Sequence, residues 1–288
     1  MKKQLGFSLV ELMIAALITA FLMASLFNIF LTTNKSVILS QGLAQNQETG
    51  RFTMDYLSRF IRQAGFTVTF DEYTPPLLVA ESLDAASETP CPEGACSENN
   101  PDDAHGDRLA ISYVTADAGS RSCTGSVIAA GLTVANVFWV SNDEATEFEL
   151  RCRTYNYTTG AWIDAAVSLV DNVESFEFQI GVSDSETSRN ASKYINLETF
   201  RYCYDLPDDL DPASPLQKIS MNQVRSIRIG ILTSSQDDLD ANKAVTNATE
   251  RKYSVLDGPI IPINDANLRQ IFSSTIELPN MIEASALN

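Results

Sequence analysis

Histidine is almost missing from this chain, which has one, His105, among 288 residues. Without imidazole, nucleophilic and metal-assisted hydrolysis lose their usual base and ligand. No G-x-S-x-G elbow, glycine-rich phosphate loop or zinc signature makes good the loss. Paired carboxylates such as Asp102 and Asp103 are too common in so acidic a chain to mark glycosidase chemistry, so no enzyme is expected. Basic residues are scarce as well: 20 Lys and Arg stand against 37 Asp and Glu, for a net charge of -17. That balance excludes a phosphate-binding surface, and with it nucleic acid or an anionic membrane as partner of the exported part. Proline does not occur before Pro75, so nothing ahead of it forbids one long helix.

What the sequence does have is a hydrophobic run. From Phe7 to Leu31 there are 25 residues in which Glu11 is the only ionisable side chain, and about 20 apolar residues cross a bilayer as a helix. Lys2 and Lys3 are the only charges ahead of it, which leaves the N-terminus in the cytoplasm and exports the rest. A secretory signal has an apolar core of about 7 to 15 residues and small residues at its cut; this run is longer, and "LMAS" puts Leu22 where a small residue is wanted. A plain signal anchor would have to carry Glu11, at about 3 kcal/mol near mid-span and less one turn inside, where it can snorkel. A cut between Gly6 and Phe7 gives the carboxylate a use. Phe7 then presents a free α-amine, and Glu11 becomes the fifth residue, where the helix dipole favours a negative charge. When such helices stack with an axial offset, the amine of one subunit meets the glutamate of its neighbour.

The segment "GFSLVELMIAALI" resembles the class III signal of type IV pilins and type II secretion pseudopilins. The stretch "NQETGRFTMDYLSRFIRQAGF" is similar to the PilW family of minor pilins, with weaker echoes in "DRLAISY", "SCTG", "ELRC", "VRSIRIGIL" and "RQIFSSTIEL". The resemblance implies a type IV pilin-like α+β fold, cleavage by prepilin peptidase between Gly6 and Phe7, N-methylation of Phe7, and an assembly charge pair through Glu11. It implies as partners the inner-membrane assembly platform, other minor pilins, the major pilin and a tip adhesin of the PilY type. The protein is expected as a single-pass inner-membrane protein with a periplasmic head, then in the pilus at the cell surface. The expected role is in starting pilus assembly and standing at or near the tip. The alternatives are a J-type pseudopilin of type II secretion and a signal-anchored adhesin or binding protein that never polymerises.

The residues themselves divide the chain. A leader at 1–6 precedes a transmembrane half-helix at 7–31 and an amphipathic half at 32–66. In the latter, Phe52, Tyr56 and Phe60 recur at i, i+4, i+8, with Met54, Leu57, Ile61 and Ala64 on an adjoining stripe. One helix from Phe7 to Ala64 would be about 85 Å long, stopped by Gly65 and covered by the head along its second half. Gly42 and Gly50 weaken its middle by about 1 kcal/mol each, and any local melting has to use Asn28 or these glycines. Residues 67–106 are predicted to be an exposed loop or insertion, tied down by a disulfide or not at all. Over 107–288, strand signals recur: "DRLAISYVT", "TVANVFWVS", "TEFELRCRTY", "VESFEFQIGV", "TFRYCYD", "VRSIRIGILTS" and "IFSSTIEL". In "IRIGIL" Ile227, Ile229 and Ile231 share one face and Arg228 and Gly230 the other, as in a half-buried antiparallel sheet. A helix followed by strands means α+β.

Five cysteines in an exported chain are disulfide candidates. The preferred pairing joins Cys123 to Cys152, Cys91 and Cys96 could close a small ring around "PEGA", and Cys203 is left as a buried free thiol in a strand. Their spacing fits no zinc set, and no metal or cofactor is expected. Asp238, Asp240 and Asn242 have the alternation of a calcium loop, but Lys243 and Thr249 stand where glycine and glutamate are needed, so the loop reads as a solvated acidic one.

Overall fold

The computed structural model describes residues 8–69, 73–79, 94–100, 105–141, 148–204, 206, 218–235, 251–263 and 267–284. One helix, α1 (Leu9–Ile61), runs 53 residues, about 80 Å at 1.5 Å per residue. Its end is closed from far along the chain: Asn280 Nδ2 donates to the carbonyls of Arg62 and Ala64, at 3.1 Å each. Gly65 then turns the chain with φ +70°, and its N–H donates to Ser112 O at 2.9 Å. Orphan carbonyls at a helix C-terminus are thus satisfied by a side chain, and glycine takes the left-handed position.

Two antiparallel sheets form the head. The first has five strands, β1 (Leu109–Val114), β2 (Thr133–Ser141), β3 (Glu149–Asn156), β4 (Ala161–Trp162) and β5 (Val167–Asp171), in the order β1-β2-β3-β4 with β5 also on β3. The second has four, in the order β11 (Arg269–Glu277), β8 (Val224–Ser234), β6 (Val173–Val182), β7 (Lys193–Ile195). A small hairpin, β9 (Arg251–Tyr253) with β10 (Ile261–Ile263), and two short helices, α2 (Leu197–Tyr204) and α3 (Pro279–Ala284), complete the described elements with one 3-10 turn, Met221–Gln223. The chain changes sheets at a single residue, Asn172, with φ 62°. Its N–H donates to Phe148 O at 2.8 Å beside the first sheet, and its carbonyl accepts from Ser234 N at 3.0 Å in the second. Asparagine tolerates this left-handed conformation better than most side chains.

Register puts the apolar residues of the second sheet on one face. Phe176, Phe178 and Ile180 of β6 lie opposite Ile231, Ile229 and Ile227 of β8, and all six are fully buried. They share one core with Leu57, Ile61 and Ala64 of the helix and with Leu109, Ile111, Phe138 and Leu150 of the first sheet. On the other face the Arg228 guanidinium stacks 3.7 Å from the centre of the Tyr194 ring, and Gly230 receives Val255 and Leu256. The Cys123–Cys152 disulfide lies in the same core, with Cα atoms 6.3 Å apart. Closing about 30 residues constrains the unfolded chain by about 3 to 4 kcal/mol. Cys96 is also disulfide-bonded; Cys91 lies outside the described residues.

Two expectations are corrected. "TFRYCYD" belongs to a helix, α2, in which Leu197, Phe200 and Cys203 recur every third residue and turn inward; eight residues rich in aromatics satisfy both periods, and tertiary burial chose the helical one. Cys203 is a buried free thiol, on that helix instead of a strand. Nor are the described residues between 67 and 106 simply exposed. Leu77, Leu78, Ala95 and Cys96 are buried, with bridges from Leu77 to Ile111 and from Glu98 to Arg108, and Leu78 and Cys96 cover Ala110, Ala135 and Val137 on the first sheet. Too few apolar residues, with no period, hid this. Asp102, Asp103, Asp238, Asp240, Asn242, Lys243 and Thr249 lie outside the described residues.

Candidate functional site: the projecting half of the helix and its junction with the head

The first half of α1 leaves the head and stands uncovered. Large apolar side chains along it, from Leu9 through Ile14, Phe21, Phe27 and Leu31, are exposed. Among the described residues this is the one helix long and apolar enough to cross a membrane. Its polar side chains turn inward on their own backbone: Thr19, Ser25, Asn28 and Thr32 donate to the carbonyls four residues back, at 2.7, 3.1, 3.0 and 2.9 Å. Such internal bonds let hydroxyls and an amide sit in hydrocarbon or against other helices. The helix passes unbroken through Asn28. Glu11 lies in the first turn, and the 23 residues from Leu12 to Asn34 carry no charge. Gly6 and Phe7 lie outside the described residues.

Further along, one stripe meets the head: Gly42, Asn46, Gly50, Thr53, Leu57 and Ile61 are its buried residues. Steps of three and four keep them on a single face. The lower end is apolar and aromatic, with the Phe60 ring 5.0 Å from Tyr56 and 5.8 Å from Phe138; the Tyr56 hydroxyl donates to Cys123 O at 2.7 Å, tying the helix to the disulfide. The upper end is small. A Cβ on Gly50 would lie 2.2 Å from the Phe272 ring, and Asn46 Nδ2 donates to Leu268 O at 2.8 Å. Gly50 therefore trades helix propensity for contact with β11, so the expected weakening of the helix is set against this packing. Phe52 lies off the buried face and is exposed.

Gly50→Leu is therefore expected to destabilise the protein even though leucine is the better helix former. The ring has to leave its seat, and overpacking of this kind costs about 1 to 3 kcal/mol, a fall of roughly 5 °C in Tm for a chain of this size. Thermal unfolding of the detergent-solubilised full chain reads it; an unchanged Tm would show that Phe272 moves aside freely.

His105, ahead of β1, is packed: its Nδ1 lies 3.3 Å from Glu174 O, and its ring centre is 4.9 Å from that of Phe148. Beside it Glu174 and Arg269 form a buried two-bond ion pair, at 2.6 and 2.8 Å, that joins β6 to β11 across β8. Such a pair fixes register more than it adds stability. Period-two alternation does not reveal it, because β6 shifts register between Val173 and Ser175.

Residues 1–27 match the prokaryotic N-terminal methylation motif. Residues 137–280, half of the chain, match the family described as type IV pilus-assembly protein W, PilW. No curated protein sequence matches significantly. Among solved structures, a type IV-like pilin from Thermus thermophilus is similar, with a TM-score of 0.39 and 15% identity over 82% of this chain and 97% of that one, too distant a likeness to carry an argument. The methylation motif and the apolar helix together point to inner-membrane anchoring and incorporation into a pilus, with pilins and a prepilin peptidase as general partners. The chain belongs to the PilW family, and is a minor pilin of type IV pilus assembly, a structural and non-enzymatic protein.

Proposed function

We propose that this minor pilin joins a small complex of minor pilins that starts pilus assembly, and that it stays at or near the tip, just below the terminal subunit. The observation that supports this reading is Glu11, the one charge on the uncovered apolar half of α1. A carboxylate there is costly in hydrocarbon unless a cation meets it. Cleavage between Gly6 and Phe7 creates that cation, the α-amine of Phe7, which N-methylation leaves protonated. Staggered packing then brings the Phe7 amine of one subunit to Glu11 of its neighbour. A subunit at the extreme end has no such neighbour to satisfy, so possession of Glu11 favours the position beneath. The head, held rigidly on the helix through the Gly50–Phe272 and Asn46–Leu268 contacts, offers its outer surface to other minor pilins and to a tip adhesin of the PilY type. The inner-membrane assembly platform would lift the finished complex.

Intact-mass and N-terminal analysis of the membrane-extracted protein tests the processing, with methylated Phe7 as the expected first residue. An intact Met1 would overturn the filament reading and leave a signal-anchored binding protein. A deletion strain tests the role: loss of surface pili and twitching is expected, whereas intact pili with lost exoprotein release would return the J-type pseudopilin.

A further inference from the structure

The second half of α1 carries a face that the head leaves open. Away from the buried stripe, Phe52, Asp55, Arg59 and Arg62 follow at steps of three, four and three, which keeps them on one side of a helix. All four are exposed, and so are Arg51 and Glu48 beside them. Phe52 is 54% exposed, yet its ring is held in place. Its centre lies 6.0 Å from that of Tyr56, and Tyr56 is fixed by the Phe60 ring at 5.0 Å and by its bond to Cys123 O. A ladder of rings thus runs from Phe138 in the core out to Phe52 in the open.

Charge is divided unevenly between stalk and head. Residues 66–288 hold 34 Asp and Glu against 14 Lys and Arg, whereas residues 32–65 hold two against four. Three of those four are Arg51, Arg59 and Arg62. Arg59 pairs with Asp55 at 2.5 Å while both side chains stay mostly exposed, a kind of pair that adds little. Arg51 and Arg62 have no carboxylate partner among the described residues. The face is therefore net positive on a molecule that is strongly negative everywhere beyond it.

We propose that this face of α1 docks the acidic head of a neighbouring pilin subunit, with Phe52 as its anchor and Arg51, Arg59 and Arg62 as its charged rim. The inference rests on the staggered packing of stalk helices, which sets the head of one subunit beside the stalk of the next. Aromatic residues and arginine are enriched at protein interfaces, and a ring already held in place loses little freedom on binding. Guanidinium groups grip carboxylates through paired hydrogen bonds. A head with this chain's surplus of carboxylates supplies the complement, whereas a basic surface is repelled. Anionic lipid does not compete for the arginines. Arg51 stands 20 residues beyond Leu31, where the apolar run ends, about 30 Å along the helix and several times the Debye length of about 8 Å at physiological salt.

Photo-crosslinking in piliated cells tests this, with benzoylphenylalanine in place of Phe52 in the full chain and, in a second strain, in place of Phe21 on the uncovered half. Both strains should give adducts with other pilin subunits. The Phe52 adduct should map by mass spectrometry to a head segment in which Asp and Glu outnumber Lys and Arg. Adding Arg51→Glu and Arg59→Glu should lower it roughly tenfold relative to the Phe21 adduct, the effect of two lost exposed ion pairs together with like-charge repulsion. Arg51→Lys with Arg59→Lys, which keeps both charges, should leave it within about twofold. An adduct at Phe21 without one at Phe52 overturns the docking and leaves the filament reading standing. So does a Phe52 adduct that falls on lipid, on another helix or on a basic segment, or one that charge reversal leaves unchanged. No adduct at either position overturns both.

Discussion

Cells whose only copy carries Glu11→Lys are expected to be bare of pili and unable to twitch, with the variant at its normal level in the inner membrane. The substitution keeps the helix and its insertion, because a lysine one turn inside the apolar run can snorkel toward the same interface as Lys2 and Lys3. What it removes is the only group on the uncovered half of α1 that can neutralise a neighbour's amine. It also sets a second cation against that amine. Breaking a buried pair so that one charge is left alone costs about 3 to 5 kcal/mol, a factor of 100 or more in assembly, and the added repulsion increases it. Glu11→Gln should lie between, since it can still accept a hydrogen bond. Electron microscopy of sheared surface fractions beside immunoblots of membranes reads both quantities. Wild-type piliation by Glu11→Lys would show that this subunit enters the filament without the charge pair.

The second large effect concerns folding. Arg225→Met is expected to destabilise the head by about 4 kcal/mol or more, or roughly 10 °C in Tm. Arg225 is the largest fully buried side chain among the described residues. Its Nε donates to Ser188 O at 2.6 Å, Nη2 to Glu186 O at 2.5 Å, and Nη1 to the carbonyls of Asn222 and Val224. One guanidinium thereby holds the β6–β7 connection against the start of β8. Burial pushes its proton affinity down, while the nearby Glu186 carboxylate pushes it back up, and an arginine stays charged through such shifts. Methionine fills much of the volume and leaves those carbonyls without their donor, each at about 1 to 3 kcal/mol if water does not reach it. Arg225→Lys should lose about half as much, because three donors on a compact ammonium cannot reproduce the planar fork. Thermal unfolding followed by circular dichroism decides; a loss below about 1 kcal/mol in Arg225→Met would mean that water replaces the guanidinium.

Arg225 also shows how far reading the sequence reaches. It has the same parity as Ile227, Ile229 and Ile231, but the register against β6 shifts here, Ser226 pairing Gly181 and Val224 pairing Val182, and Val224 joins the core, so alternation alone does not foretell the cage of carbonyls around Arg225. The spans of β2, β6 and β8 coincide with "TVANVFWVS", "VESFEFQIGV" and "VRSIRIGILTS" because each carries its own strand period and turn signals. The long helix was legible from the absence of proline and the stripe of Leu57, Ile61 and Ala64. What stayed hidden depends on partners distant in the chain. Phe272 explains Gly50, and Leu268 explains Asn46, yet neither partner leaves a local mark. Asn172 is hidden for another reason: one asparagine between two strands reads as an ordinary turn, and only pairing with both sheets makes it the crossing point.

The contacts that hold α1 to the head come largely from β11 and α3, more than 200 residues later in the chain: Asn46 to Leu268, Arg62 and Ala64 to Asn280, and Gly65 against Met281. During export, then, the stalk emerges first and its clasp last. Until β11 has crossed the membrane, the upper part of the stripe, Asn46 and Gly50, lacks its seat on Leu268 and Phe272, and pairings this remote form slowly. A chain ending before residue 267 would lack the contacts of Leu268, Asn280 and Met281 with the helix and its exit turn. Docking of this last part of the chain thus completes the seat of the stalk, so its upper stripe gains its full set of contacts only when residues 268–281 are in place.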